Sequence, residues 1–127
     1  MPSGRTLERS TREELLEVGG PCAILLPANL EAAETEAITR ALSAHGCVEF
    51  CFVGERAERA HDVADDVLES TGYLEVVTTW VNDVQEGCDY FLHAAAYART
   101  SRLVAYVTPD PILDQALNEA VESFNDP

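Results

Sequence analysis

The residues best suited to metal or acid–base chemistry are clustered on one predicted helix. His61 and Asp62 are adjacent, and Asp65 and Asp66 follow within one helical turn. On a helix, positions 61 and 65 share a face, as do positions 62 and 66. Imidazole and carboxylate groups are common metal ligands. The alternative is a solvated acidic face, which we favour because the chain has only two other His residues, so we assign no metal.

A second set of polar residues follows the predicted strands. In open parallel sheets, ligands bind beyond the carboxyl ends of the strands. Those ends carry an Arg, several Thr hydroxyls, an indole and carboxylates, which could hold a polar small molecule. Alternatively, Asn29, Asp83 and Asp110 only cap helices. The candidate ligand- or partner-binding residues are Asn29, Glu55, Arg56, His61, Asp62, Asp66, Thr79, Trp80, Asp83 and Asp110.

The sequence lacks the common catalytic and nucleotide-binding motifs. It has no GxGxxG, no GxxxxGK[ST] and no GxSxG, so a phosphate loop and an esterase elbow are not supported. Cys47 and Cys51 have no neighbouring base or cation, and we expect them to fill the core. We therefore assign no catalytic residue and no cofactor.

Four predicted strands, 22–28, 48–54, 74–81 and 102–108, are each followed by a helical pattern, and the first of them is a continuous apolar run. Continuous apolarity is typical of strands buried on both faces of a parallel sheet. The alternation predicts a small three-layer α/β/α domain, with four mainly parallel strands and βα repeated four times. We expect residues 1–20 to form an N-terminal arm with a short helix, and residues 21–127 to form a single α/β domain.

The composition limits the partners. The formal net charge is −15, the pI is about 4.3, and the chain contains no Lys. Direct binding to nucleic acid needs clustered basic residues and is not expected. No apolar run approaches a membrane span, and four Cys without a CxxC pair indicate reduced thiols. We expect a cytoplasmic protein. A source that lives in high salt would also explain the acidity.

Four short segments, CAILLP, CVEFCFVG, AHDVADDV and VVTTW, occur in this order between residues 21 and 109. The pattern resembles a family of small, uncharacterised bacterial α/β domains. In that family a His-Asp element opens the helix after the second strand, and Thr-Thr-Trp ends the third strand. The resemblance supports the Rossmann-like fold and directs interest to His61, Asp62, Thr79 and Trp80. It implies no activity.

Two functional hypotheses follow. The first is a non-enzymatic acidic interaction protein, such as an inhibitor or immunity-type partner of a basic protein. The second is a small-molecule-binding domain, or a metal-assisted hydrolase, that uses the crevice at the carboxyl ends of the strands. We favour the first because the catalytic motifs that we sought are missing.

Overall fold

A computed structural model describes residues 4–125 of the chain. Strands and helices alternate along it. The elements in order are β1 (Thr6–Arg9), α1 (Arg12–Leu15), β2 (Ala23–Pro27), α2 (Ala32–Ala44), β3 (Glu49–Val53), α3 (Ala57–Thr71), β4 (Val77–Val81), α4 (Val84–His93), β5 (Arg102–Ala105) and α5 (Pro111–Asn125). The predicted α/β class with a parallel sheet is confirmed.

The prediction of four strands is wrong, because the sheet has five. Its order is β1-β5-β2-β3-β4, and every neighbouring pair is parallel. The additional strand is β1, which lies within the first twenty residues and pairs with β5 from Thr6 to Arg9. It was missed because a four-residue edge strand with mostly polar side chains carries no continuous apolar run.

Two apolar layers enclose the sheet. On one face, Ile24 and Phe50 pack with Ile38 of α2 and Ala64 of α3. On the other face, the β2 and β3 residues at alternate positions pack against α4 and α5, for example Leu25 against Phe91 and Leu117. Side chains alternate between the faces of a strand, so both faces of β2 and β3 are buried.

Local sequence signals determine several helix ends. Asp83 accepts a hydrogen bond from the Glu86 backbone N–H at 2.9 Å and caps α4, as expected. Gly72 ends α3 with a φ of +83°, a conformation that glycine adopts without steric cost. Gly87 lets α4 approach β3 closely, since a Cβ there would lie 2.5 Å from a methyl carbon of Val53.

All four cysteines are buried free thiols. Cys51 packs on the α4–α5 side of the sheet, whereas Cys47 precedes β3 and packs on the α2–α3 side. Burial raises the pKa of both Cys47 and Cys51. A buried, protonated thiol is a poor nucleophile, so these thiols fill the core and do not carry chemistry.

Candidate functional site

The carboxyl ends of β2, β3 and β5 meet at one edge of the sheet. The helix after β2 packs on one face of the sheet and the helix after β5 packs on the other. The strand order therefore reverses between β2 and β5, which are parallel neighbours. Such a point is where ligands bind in open parallel sheets. Asn29 and Asp110 lie here, and the Asn29 Nδ2 donates to the Pro109 carbonyl at 3.2 Å. Gly54 lies close to Asp110, since a Cβ there would be 4.0 Å from Oδ2 of that residue.

Two residues expected to cap helices behave differently here. Oδ1 of Asp110 accepts from the backbone N–H groups of Ile112 and Leu113, each at 3.1 Å, so Asp110 does cap α5. Asn29 does not cap α2, because that helix begins later and its N-cap position is occupied by Glu31. The Asn29 side chain instead joins the β2 loop to the β5 loop.

A cleft of about 390 Å³ lies at this edge of the sheet, between the N-terminal ends of α2 and α3. We call it the carboxyl-edge cleft. Its polar lining residues are Asn29, Glu31, Thr35, Glu55, Arg56 and Arg59. The structure therefore brings together three of the predicted candidates, Asn29, Glu55 and Arg56. Arg59 was not predicted, although it lies three residues after Arg56 and such residues are neighbours on a helix.

The two arginines of the cleft differ from most others in the chain. Of eight Arg, five donate to carboxylates, amides or backbone carbonyls of the protein, namely Arg5, Arg9, Arg12, Arg99 and Arg102. Arg56 and Arg59 are exposed, and their side chains have no hydrogen-bond or ion-pair partner among residues 4–125. Arg56 also has a φ of +67° at the start of α3. The cleft thus holds two guanidinium groups that remain available to an anionic group.

The His-Asp cluster lies outside the cleft, on the side of α3 toward β4. The His61 Nδ1 lies 3.2 Å from Asp62 Oδ1, and its Nε2 lies 3.2 Å from Asp65 Oδ2. The Thr78 hydroxyl donates to Asp65, which links the helix to β4. Asp66 is exposed and further around the helix. Within residues 4–125, no three His, Cys, Asp or Glu residues are arranged to hold a metal ion.

Thr79 lies within β4 and points into the protein. Its hydroxyl donates to Oε2 of Glu49 at 3.0 Å. Glu49 is 4% exposed, and its carboxylate also accepts from the Tyr90 hydroxyl at 2.6 Å and the Ala96 backbone N–H at 2.8 Å. The Cys51 thiol lies 3.3 Å from the same Oε2. Thr79 therefore belongs to a buried polar cluster and not to the strand-end crevice.

Glu49 was not identified as important from the sequence, although it is the one charged residue in an apolar strand segment. Burial raises the pKa of Tyr90, and the hydrogen bond to Glu49 raises it further. Burial and then the Glu49 charge raise the pKa of Cys51. Both effects keep these groups protonated as donors to the carboxylate. Both carboxyl oxygens of Glu49 thus accept hydrogen bonds, as expected for a polar group that is buried in a core.

Trp80 lies at the open edge of the sheet, apart from the cleft. It is 40% exposed, and Val77 on the same strand is 42% exposed. The candidate residues thus separate into two surfaces. Asn29, Glu55, Arg56 and Asp110 lie at the carboxyl edge, whereas His61, Asp62 and Trp80 lie near β4.

In the part of the chain that the structure describes, no helix is both long and apolar enough to cross a membrane. No curated protein sequence matches the chain. A family model described as "Domain of unknown function (DUF7684)" matches residues 5–123, which include all five strands. The chain therefore belongs to this family of unknown function.

Proposed function

We propose that this protein is a non-enzymatic interaction domain that binds a basic protein partner. The observation that carries the proposal is the acidic face of α3, which consists of Glu58, Asp62, Asp65, Asp66 and Glu69. None of these carboxylates pairs with an arginine among residues 4–125. Among residues 4–125, the ring of His61 is the one basic side chain that contacts these carboxylates, and a cationic partner would complement the face.

The arrangement of these charges costs the isolated protein stability. Asp62 lies four residues from Glu58 and from Asp66, and like charges at this spacing repel each other on a helix. The last turn of α3 contains no basic residue, although cations are favoured there by the helix dipole. A face that is unfavourable in the free protein is consistent with a surface that is neutralised by a partner. We place the protein in the bacterial cytoplasm, in keeping with its free, buried thiols.

The test compares two sets of neutralised carboxylates. The first variant replaces four residues of the acidic face: Glu58→Gln, Asp62→Asn, Asp66→Asn and Glu69→Gln. The control replaces four exposed carboxylates elsewhere: Glu13→Gln, Glu17→Gln, Glu119→Gln and Glu122→Gln. Both variants change the net charge equally, so long-range attraction is matched.

The probe is a fluorescein-labelled oligoarginine peptide, measured by anisotropy at increasing salt. We expect about tenfold weaker binding to the first variant than to the control, and weakening of both as salt screens the charges. Equal affinities would show that the acidic face of α3 is not the binding surface. Absence of salt-dependent binding to the unmodified protein would contradict the proposed function itself.

A second candidate function is supported by the carboxyl-edge cleft. Arg56 and Arg59 are its unpartnered cations, and Asn29 supplies an amide at its border. Guanidinium groups pair well with carboxylate and phosphate. The cleft would therefore bind a small polar molecule that carries one of these groups. The metal-assisted form of this alternative would require His61, whose ring nitrogens both contact carboxylates of the same helix.

This candidate is tested by thermal unfolding with citrate and with inorganic phosphate. Arg56→Gln with Arg59→Gln should abolish any stabilisation by these anions. Arg40→Gln is the control for loss of a guanidinium group outside the cleft, because the Arg40 side chain is also exposed and unpartnered within residues 4–125, and each single cleft variant, Arg56→Gln or Arg59→Gln, matches it in charge. Equal stabilisation of the unmodified protein, the cleft variant and the control would show that the anions bind outside the carboxyl-edge cleft.

A further inference from the structure

One edge of the sheet has free backbone hydrogen-bonding groups. The Val77 N–H donates to the Val48 carbonyl, and the Gly54 N–H donates to the Val81 carbonyl, each at 3.0 Å. Both Val77 and Val81 thus direct backbone groups toward β3. Alternation along a strand then directs the N–H and C=O groups of Thr78 and Trp80 away from the sheet. β4 is the last strand in the sheet order, so no strand among residues 4–125 pairs with these groups.

The two edges of the sheet are built differently. At the β1 edge, Glu8 pairs with Arg102 and Arg9 pairs with Asp114. Charged side chains on a short strand protect an edge from pairing with other chains. β4 has the sequence VTTWV, which contains no charged residue. Val77 and Trp80 are partly exposed, and the preceding Leu74 is 76% exposed. The β4 edge therefore lacks the protection found at the β1 edge.

Carboxylates lie along this open edge. The hydrogen bond from Thr78 to Asp65 places that part of α3 against β4. Helical spacing puts Asp62 and Glu69 beside Asp65 along the same side of the helix. On the other face of β4, Tyr90 and Thr79 meet at the Glu49 carboxylate. Glu86 lies one turn before Tyr90 and is exposed. An added strand would thus lie next to several negative charges.

We propose that β4 binds an extended basic segment of the partner as an additional strand of the sheet. This inference rests on the proposed function and assigns it a surface. The backbone groups of Thr78 and Trp80 supply the hydrogen bonds, as in other cases of strand addition. The carboxylates of α3 select Lys or Arg at the alternate positions that face them. A second copy of this chain fits less well, because antiparallel pairing of two β4 edges would bring two acidic faces of α3 together.

The test uses a synthetic peptide of alternating Lys and Val, about nine residues long so that it spans β4. The control peptide has the same sequence with alternate backbone amides N-methylated, which keeps the charge and removes strand hydrogen bonds. Trp80 is the only Trp in the chain, so its emission reports binding at this edge. We expect the peptide to shift the emission and to slow amide exchange at Thr78 and Trp80. The N-methylated peptide should bind at least about tenfold more weakly, given the loss of several hydrogen bonds.

A matched pair of variants tests the same point on the protein. Thr78→Pro removes a backbone N–H that points away from the sheet, and proline is tolerated at such positions of an edge strand. Thr78→Val keeps that N–H, while both variants lose the bond to Asp65. Peptide affinity should fall about tenfold in Thr78→Pro relative to Thr78→Val. If Thr78→Pro does not fold, the comparison of the two peptides still decides the question.

The other outcomes are distinguishable. Equal binding of both peptides, without slower amide exchange at Thr78 and Trp80, would contradict strand addition. The proposed binding of a basic partner to the acidic protein would remain. Failure of every basic peptide to bind would overturn the proposed function as well. A dimer that Thr78→Pro, but not Thr78→Val, converts to monomer would assign the edge to a second copy and contradict the proposal.

Discussion

The hydroxyl of Tyr90 donates a hydrogen bond of 2.6 Å to Oε2 of Glu49, a carboxylate buried at the start of β3. Tyr90 lies on α4, so this bond fixes the helix against the sheet. Ala96, just beyond the helix, donates its backbone N–H to the other carboxylate oxygen at 2.8 Å. The Glu49 side chain thus holds the end of α4 in place through these two hydrogen bonds.

Tyr90→Phe should destabilise the domain. The substitution removes one donor from a buried carboxylate, and leaving such a group under-satisfied costs about 1–3 kcal/mol. Urea unfolding measures the change. Tyr97→Phe is the control, because Tyr97 is 78% exposed, and it should change the free energy of unfolding by less than about 0.5 kcal/mol. Equal effects of the two substitutions would show that the hydrogen bond from Tyr90 to Glu49 contributes no stability.

Stability should fall as the pH rises above about 9. Burial raises the pKa of the Cys88 thiol from 9.0 to about 12. Between these values the unfolded chain loses a proton that the folded protein retains, so the stabilisation present below pH 9 is lost as the pH rises. The slope for one such group approaches about 1.4 kcal/mol per pH unit.

Urea unfolding of the unmodified protein and of Cys88→Ala tests this expectation at pH 8, below the ordinary thiol pKa of 9.0, and at pH 11, between that value and the raised pKa of about 12. The variant should be less stable at both values because of the cavity that it creates. Its alkaline loss of stability should nevertheless be smaller than that of the unmodified protein. The same alkaline loss in both proteins would attribute the effect to other groups, such as Cys51 and Tyr90.

Native thiols should react slowly with a thiol reagent. All four cysteines are buried, and burial raises the pKa of Cys47 and Cys51. A thiol must be exposed and ionised to react. We expect four reactive thiols in denaturant and essentially none within the same time in the native protein. Rapid native labelling of Cys47 or Cys51 would show that the core opens there.

Divalent metals should leave the melting temperature unchanged. A metal present at a hundredfold excess over its Kd would stabilise the folded state by about 2.7 kcal/mol, which corresponds to several degrees for a domain of this size. Differential scanning fluorimetry with zinc and with manganese measures the shift. A shift that disappears in the variant with His61→Ala and Asp62→Ala would instead support a metal-assisted hydrolase.

Removing residues 1–20 should destabilise the domain. The deletion removes β1, which pairs with β5, and Leu15, which is fully buried against the α2–α3 side of the sheet. Loss of a buried Leu alone costs about 2–5 kcal/mol. Circular dichroism during thermal unfolding measures the outcome. An equally stable truncated protein would support the boundary at residue 20 that the sequence suggested.

Much of the fold was predictable because its signals are local. A continuous apolar run identified β2, and a largely apolar segment identified β3, and both strands are buried on both faces. The side chains of Asp83 and Asp110 bond to backbone N–H groups only two or three residues away, so their capping roles follow from neighbouring residues. The rule that parallel strands end at one edge was enough to bring Asn29, Glu55 and Arg56 to the same cleft.

The remaining features depend on which distant segments meet. The pairing of β1 with β5 and the insertion of β5 beside β2 join segments that are far apart in sequence. Thr79 was expected at the crevice, but the register with β3 directs its hydroxyl to Glu49, thirty residues earlier. The role of Glu49 as the centre of a buried polar cluster depends on donors from β4, from α4 and from the segment after α4. The sequence by itself therefore determined four of the five strands and the caps of α4 and α5, whereas register and strand order, which are set by non-local packing, decided which side chains share a site.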